Sequence, residues 1–261
     1  MSAPTERQAH ILDLVKREGF LSVEILAQRI GVSPELVQND VNQLCEQGLM
    51  QAQDSGATTL SSVENIAYSI RQALCHEAKE LIARDLARHI PDHSSLFINI
   101  GTTTEEVAKA LLGHKGLRVV TNNLNVASIL SVDPALEVIV AGGIVRSRDR
   151  GIVGEATVDL IRQFRLDFAI IGISAIDSSG ALLDFDYREV RVTQAIVANS
   201  RQVFLAADHS KFSRNAMVRV GHVSQLDALF TDRQPTPEMQ AKLAAAKVAV
   251  HIAMDNGRMD S

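Results

Sequence analysis

Leu96-Phe97-Ile98-Asn99-Ile100-Gly101-Thr102-Thr103-Thr104 decides the fold of most of this chain. An apolar run of strand length breaks at a glycine and passes into small hydroxyl residues, and a helical stretch continues through Leu112. That order predicts a buried strand, a tight turn and a helix. The same order recurs downstream. Leu117 to Val120 runs into Thr121-Asn122-Asn123, Glu137 to Ala141 into Gly142-Gly143, and Asp167 to Ile171 into Gly172. Gln202 to Ala206 leads to Asp208-His209-Ser210-Lys211, Ala228 to Phe230 leads to Thr231-Asp232, and Lys247 to Ile252 is a further candidate strand. Strands alternating with helices predict a mostly parallel α/β sheet. The composition agrees: 46% of residues are hydrophobic but only 4% aromatic, with no Trp, so the core is aliphatic, as suits a sheet covered on both faces.

Upstream the pattern is different. Ile11, Leu12, Leu14 and Val15 recur at helix spacing before Gly19; Val23, Ile25, Leu26 and Ile30 do so before Gly31. Ser33-Pro34 opens a third helix, with Ser33 as its cap and Pro34 in its first turn. Leu36, Val37, Val41 and Leu44 form its apolar face, and Gly48 ends it. Three short helices joined by tight turns predict a helix-turn-helix. Gln51 to Ser62 is polar and reads as a wing plus linker, and a helical stretch from Glu64 to Ile90 leads into the larger domain. The expected boundaries are a winged helix-turn-helix over 1–60, a linker and connecting helix over 61–90, and a larger α/β domain over 91–261.

Bulk properties exclude several classes. The net charge of −5 gives no general reason to expect a polyanion or a membrane as partner. Cys45 and Cys75 match neither a disulfide framework nor a metal-ligand spacing, so reduced thiols, no metal and no cofactor are expected. Met1-Ser2-Ala3-Pro4 lacks the features of a signal peptide and no apolar run reaches membrane-spanning length, which predicts a cytoplasmic protein.

Small and polar residues follow nearly every strand, and in open α/β sheets the ligand crevice lies outside the carboxyl ends of the strands. Gly101, Thr102, Thr103 and Thr104 suit a phosphate: glycine lets the backbone approach, hydroxyls donate, and a helix N-terminus offers free N–H groups. A plain turn with a threonine cap reads equally well there. Lys211 is either a second phosphate contact or a surface lysine. Asn122, Asn123, Gly142 and Gly143 are candidate ligand contacts at neighbouring strand ends. Asp184, Asp186, Arg188, Glu189 and Arg191 form either a solvated charged face or a set that holds the hydroxyls of a polyol. His209 has no orienting partner visible in the sequence.

Both halves resemble the DeoR family in order and spacing, over about residues 6–235. The marks are Asn99-Ile100-Gly101-Thr102-Thr103, Thr121-Asn122-Asn123, Ala141-Gly142-Gly143 with Arg146, Gly154-Glu155-Ala156, Asp167 to Gly172, and Asp208-His209-Ser210-Lys211-Phe212. Phe164 to Phe168, Leu183 to Tyr187 with Glu189-Val190-Arg191, and Lys211 to Val218 are most similar to the members that regulate glycerol 3-phosphate metabolism. The resemblance implies a sensor fold similar to ribose-5-phosphate isomerase but without turnover. It also implies a small phosphorylated polyol or sugar as effector, glycerol 3-phosphate first, a DNA operator released on effector binding, and a homo-oligomer of two or four subunits.

The DNA-reading half departs from the pattern. Family members usually carry two arginines before the Asp of the recognition helix; here Gln38 and Asn39 precede Asp40. The usual Thr two residues after the helix-opening Pro is Leu36, and the usual arginine-rich wing is Leu49 to Ala57. Residues 1–60 hold four basic and eight acidic side chains, a net of −4. Counterion release supplies much of DNA affinity, so weakened binding is expected. Ser33, Leu36, Gln38, Asn39, Asn42, Gln43 and Gln51 are the candidate contacts, since Asn and Gln read adenine bidentately. Three readings follow: an A·T-rich operator read by amides, weak binding aided by a partner or higher oligomer, or a sensor that has lost DNA binding. A sugar-phosphate isomerase using Asp184, Asp186, Glu189 and Lys211 as acid and base is a further alternative.

Overall fold

The structure, a computed structural model, describes residues 5–18, 20–46, 50–53, 56–58, 68–212 and 214–254. It divides into two compact units, residues 1–71 and 72–261.

In the first unit, α1 (Glu6–Glu18), β1 (Phe20–Ser22), α2 (Val23–Ile30) and α3 (Pro34–Glu46) precede a hairpin of β2 (Gln51–Gln53) and β3 (Gly56–Thr58). Ile11, Val15, Leu26, Val37, Val41 and Leu44 are fully buried together, which is the core that the helical periodicity requires. Gly31 closes α2 at φ 76°, a left-handed cap that glycine adopts without strain. Ser33 caps α3, its Oγ accepting from the Leu36 N–H at 3.4 Å. The hairpin joins β1 in a three-stranded sheet of order β1-β3-β2, the wing. Strand β1 has no counterpart in the sequence pattern; at three residues it is too short to show an alternation. Residues 59–67, which take in the end of the expected wing-plus-linker stretch and the start of the expected connecting helix, lie outside the described residues.

From Tyr68 on, the predicted single stretch from Glu64 to Ile90 holds two helices, α4 (Tyr68–Ala73) and α5 (His76–Ala87), broken at Leu74-Cys75, where Cys75 adopts φ 53°. Then follow β4 (Ser95–Ile98), α6 (Thr102–Ala110), β5 (Arg118–Thr121), α7 (Leu124–Leu130), β6 (Glu137–Val140), β7 (Ile144–Val145), β8 (Ile152–Val153), α8 (Glu155–Ile161) and β9 (Leu166–Ile171). The chain continues with β10 (Ala175–Ile176), β11 (Ala181–Asp184), α9 (Tyr187–Ala198), β12 (Ser200–Ala206), β13 (Val218–His222), β14 (Ala228–Thr231), α10 (Pro237–Ala245) and β15 (Ala249–Ile252).

Seven parallel strands form one sheet in the order β15-β14-β12-β9-β4-β5-β6. Alternate residues of each central strand face opposite layers. Leu96, Ile98, Ile170, Phe204 and Phe230 pack with α5, α6 and α7; Phe97, Ala169, Ile171, Leu205 and Leu229 pack with α8, α9 and α10. Burial on both faces explains why these strands read as continuous apolar runs. A small antiparallel sheet, β10-β11-β13, accompanies them; its pieces are too short to announce themselves in sequence. The strand order turns around between β4 and β9. From β4 the chain winds to β6, and from β9 it winds the other way to β15, which places a topological switch point at the carboxyl ends of β4 and β9.

Candidate effector site and nucleic-acid interface

Helix α3 presents Ser33, Leu36, Gln38, Asn39, Asn42 and Gln43 on its exposed side. Gln38 donates to Asn42 Oδ1 at 3.0 Å, one turn on. Gln43 Oε1 accepts from Gln8 Nε2 at 2.7 Å, which ties it to α1. Gln51 lies in β2 of the wing. Asp40 is turned inward and buried, where Arg7 of α1 grips it through two nitrogens (Nη2–Oδ1 3.3 Å) and Gln8 Nε2 adds a third bond at 3.3 Å. Asp40 is therefore not on the reading face, and its pairing with Arg7, which is also in the count, leaves the net charge of −4 unchanged. Arg7, in turn, is held by an acid and its guanidinium is stabilised in the charged form, first by the hydrogen bond and then by the charge of Asp40.

At the switch point Asn99 ties the two half-sheets together. Its Oδ1 accepts from the Gly172 N–H at 2.8 Å and its Nδ2 donates to the Gly172 carbonyl at 3.2 Å. Gly101 caps α6 without any side-chain acceptor, so the cap residue itself offers nothing to the N–H groups of the first turn. Thr102, Thr103 and Thr104 are buried. Thr104 is structural: its Oγ1 donates within the loop, facing the carbonyls of Asn99 and Gly101 at 2.9 Å each. Asn123 likewise caps α7, accepting from Asn125 N–H at 2.9 Å, while its Nδ2 and that of Asn125 converge on the buried Glu105 at 3.2 and 3.0 Å. Asn122 gives its Nδ2 to the Ile152 carbonyl at 2.9 Å and keeps a buried Oδ1 with no bond.

Gly142 and Gly143 follow β6. The Gly142 carbonyl accepts from Thr157 Oγ1 at 2.8 Å. Gly143 has φ 150°, and a Cβ there would lie 2.9 Å from the Val153 carbonyl oxygen, so only glycine fits. The loop they open delivers Arg146, which is buried and binds three carboxylates: Asp149 at 2.6 Å, Glu189 at 2.6 Å and Asp186 at 3.0 Å. Asp184, also buried, accepts from Ser174 Oγ at 3.0 Å. Burial opposes the ionised form of Asp186, yet hydrogen bonds from Arg188 and Arg146 hold its carboxyl well below the usual range. Glu189 is pushed up to about 8, first by burial and then by the charge of Asp184, against the pull of Arg146. The acidic run is thus a buried ionic cluster and not a solvated face. Arg191 does not join it; it pairs with Glu155 at 3.5 Å and donates to the Tyr187 hydroxyl at 3.3 Å.

Lys211 is buried too, with its Nζ 3.6 Å from Asp208 Oδ2. The fully buried Lys79 of α5 donates to the Leu74 carbonyl at 2.6 Å. Burial works against the Asp208 carboxylate, but the charges of Lys211 and Lys79 and a bond from Ser210 hold it below its ordinary value. Sequence pattern alone does not single out Lys79, Glu105, Asp149 or Asn99 as site residues. A lysine on the apolar side of an amphipathic helix is the one available signal, since lysine is almost never fully buried unless paired.

The DeoR C-terminal sensor domain model matches residues 74–233 and the DeoR-like helix-turn-helix domain model matches residues 7–63. The chain belongs to the DeoR family. It carries the family's DNA-binding module and its sensor module, and is a helix-turn-helix transcription regulator. It is 54% identical to the glycerol-3-phosphate regulon repressor of Escherichia coli (strain K12) over 231 residues, 88% of this chain and 92% of that one. The repressor of the same name from Haemophilus influenzae is 50% identical over 229 residues, covering 88% and 89% of the two chains. The E. coli HTH-type transcriptional repressor CsqR is 39% identical over 250 residues, 96% of each chain. Ribose 5-phosphate isomerase A of Neisseria gonorrhoeae aligns in structure over 51% of this DeoR-family chain and 52% of that chain, with 16% identity and a TM-score of 0.36, a likeness too slight to bear on activity.

Proposed function

We propose that this DeoR-family chain is a cytoplasmic repressor of genes for glycerol 3-phosphate use, which binds its operator as a homo-oligomer and lets go when glycerol 3-phosphate occupies the sensor. The observation that carries the reading is the switch-point turn: a helix N-terminus, capped by a glycine with no acceptor of its own, opens beside buried polar groups. Such an end stabilises a dianion through the N–H groups of its first turn and the helix dipole. Gly101, Thr102 and Thr103 cradle the phosphate there, and Lys211 and Lys79 supply positive charge from the neighbouring strand end and α5. Asn122, with its unpartnered Oδ1, and the Arg146–Asp186–Glu189 cluster select the glycerol hydroxyls. The name of the relatives at 54% and 50% identity supports this choice of effector.

The same cluster argues against turnover. Its acidic side chains are held in place by Arg146, whereas a general base has to reach the proton that it removes. On the DNA side, Gln38, Asn39 and Asn42 read adenines, and Leu36, 44% exposed, meets thymine methyl groups. The operator is accordingly A·T-rich, and its hold on the protein depends less on salt than it would with arginines at 38 and 39. A gel shift with the DNA upstream of the protein's own gene tests the whole reading. A retarded band that glycerol 3-phosphate abolishes, and glycerol does not, is expected. No band at any protein concentration makes the chain a sensor without DNA, and a band indifferent to the ligand removes the effector.

A further inference from the structure

Cys75 and His209 are 134 positions apart, and only the fold brings them together. Cys75 immediately precedes α5, and Asp208 and His209 stand at the turn after β12. The Cys75 sulfur, one ring nitrogen of His209 and a carboxylate oxygen of Asp208 all lie within 4.8 Å of one another.

Two independent features point this cluster at a ligand. First, Asp208 is fully buried. Its Oδ1 accepts from the N–H and the hydroxyl of Ser210, but its Oδ2 has no hydrogen bond and meets Lys211 Nζ only at 3.6 Å. Second, Asp232 holds His209 from behind, accepting from its backbone N–H at 2.7 Å and lying 2.6 Å from Nδ1. A proton on Nδ1 directed at Asp232 would leave the lone pair of the ring on Nε2 for a metal. That carboxylate–imidazole pairing is what orients metal-bound histidines.

We propose that Cys75, His209 and Asp208 bind a divalent transition metal of the zinc class. Thiolate, imidazole and carboxylate together favour zinc or cobalt over magnesium or calcium, which prefer oxygen alone. Ligand bonds of about 2.0–2.3 Å need donors roughly 3–4 Å apart, so rotation of the half-buried Cys75 and His209 side chains completes the site. Three protein ligands leave a fourth position open. Binding replaces the thiol proton: S–H and M²⁺ give S–M⁺ and a proton, so affinity rises with pH. The ammonium groups of Lys211 and Lys79 oppose the incoming charge, and the departing thiol proton offsets part of it.

The test uses the full chain, stripped with a chelator and kept free of any phosphorylated ligand, so that its outcome is independent of the effector reading. Titration with Co²⁺ is expected to give one equivalent per chain with a thiolate-to-cobalt absorption band, displaced by Zn²⁺. Cys75→Ser and His209→Gln lose the band, Cys45→Ser keeps it, and Asp232→Asn weakens binding by about 10–100-fold. In the unaltered chain Zn²⁺ shields Cys75, and not Cys45, from iodoacetamide, which covers the case in which a variant fails to fold. Absence of stoichiometric binding, a band that survives Cys75→Ser, or alkylation of Cys75 unchanged by Zn²⁺ overturns the proposal.

Discussion

Arg146 shows how one residue can organise a site. Its guanidinium is buried against Asp149, Asp186 and Glu189, and removing one partner of a buried ionic group leaves the others uncompensated, at a cost of about 3–5 kcal/mol. Arg146→Ala should therefore lower the melting temperature of the second unit by on the order of 10 °C, measured by calorimetry; a loss of a degree or two would mean that the carboxylates find other partners. Glu189 makes a prediction about pH. Its folded pKa, about 8, is raised above the ordinary 4.5, so the folded state holds a proton that the unfolded chain releases. The stability that this proton confers is complete below pH 4.5 and is lost as pH rises to 8. Denaturant titrations across that window should show a falling stability that Glu189→Gln flattens by at most about 1.4 kcal/mol per pH unit. Identical slopes for the two proteins would place the raised pKa elsewhere.

At the scale of elements, helix α3 and the turn after β6 behave in opposite ways. The α3 face is open: Gln38 and Asn39 are exposed, and the acid that follows them, Asp40, is engaged by Arg7 on the inner side. Gln38→Arg with Asn39→Arg should fold normally, tighten operator binding in an anisotropy titration, and steepen the salt dependence by up to about two contacts per subunit. Unchanged slopes would mean that these positions do not face DNA. Gly143 is closed: its φ of 150° and the Val153 carbonyl, 2.9 Å from where a Cβ would stand, forbid a side chain. Gly143→Ala should destabilise by more than the about 0.4–1 kcal/mol that a glycine-to-alanine change gains in permissive backbone, read as a lower denaturation midpoint. The seven strands of the large sheet and the three DNA-module helices are legible in sequence because each carries its own apolar run or period and its own stop. The small sheet is not, because a strand such as Ala175–Ile176 has no period to read. The acidic run from Asp184 to Arg191 passes for a solvated face for a related reason: its partner, Arg146, lies some forty residues upstream, and nothing local records the ion pairs. Lys79 stays hidden because helical spacing places it on the apolar side but cannot say which carboxylate awaits it.

For the whole molecule the governing quantity is the coupling of ligand binding to folding and to DNA. A ligand that binds only the native sensor stabilises it by about 2.7 kcal/mol at a hundredfold excess over its dissociation constant. Glycerol 3-phosphate at millimolar concentration should raise the melting temperature of the full chain by several degrees while glycerol does nothing. Thr103→Asp should abolish that shift, since a carboxylate in the first helical turn repels a phosphate; because Thr103 is buried, the variant's own melting curve is recorded first to show that it folds. A Thr103→Asp protein that still responds would put the anion elsewhere.

The bridge that Arg146 makes has one more consequence. The arginine belongs to the half of the sheet that winds outward from β4 to β6, and Asp186 and Glu189 belong to the half that begins at β9. Asn99 joins the same two halves through its pair of bonds to Gly172. The two halves are therefore sewn together by side chains as well as by backbone, and any sliding of one half past the other would have to give up the ion pairs of Arg146 with Asp186 and Glu189.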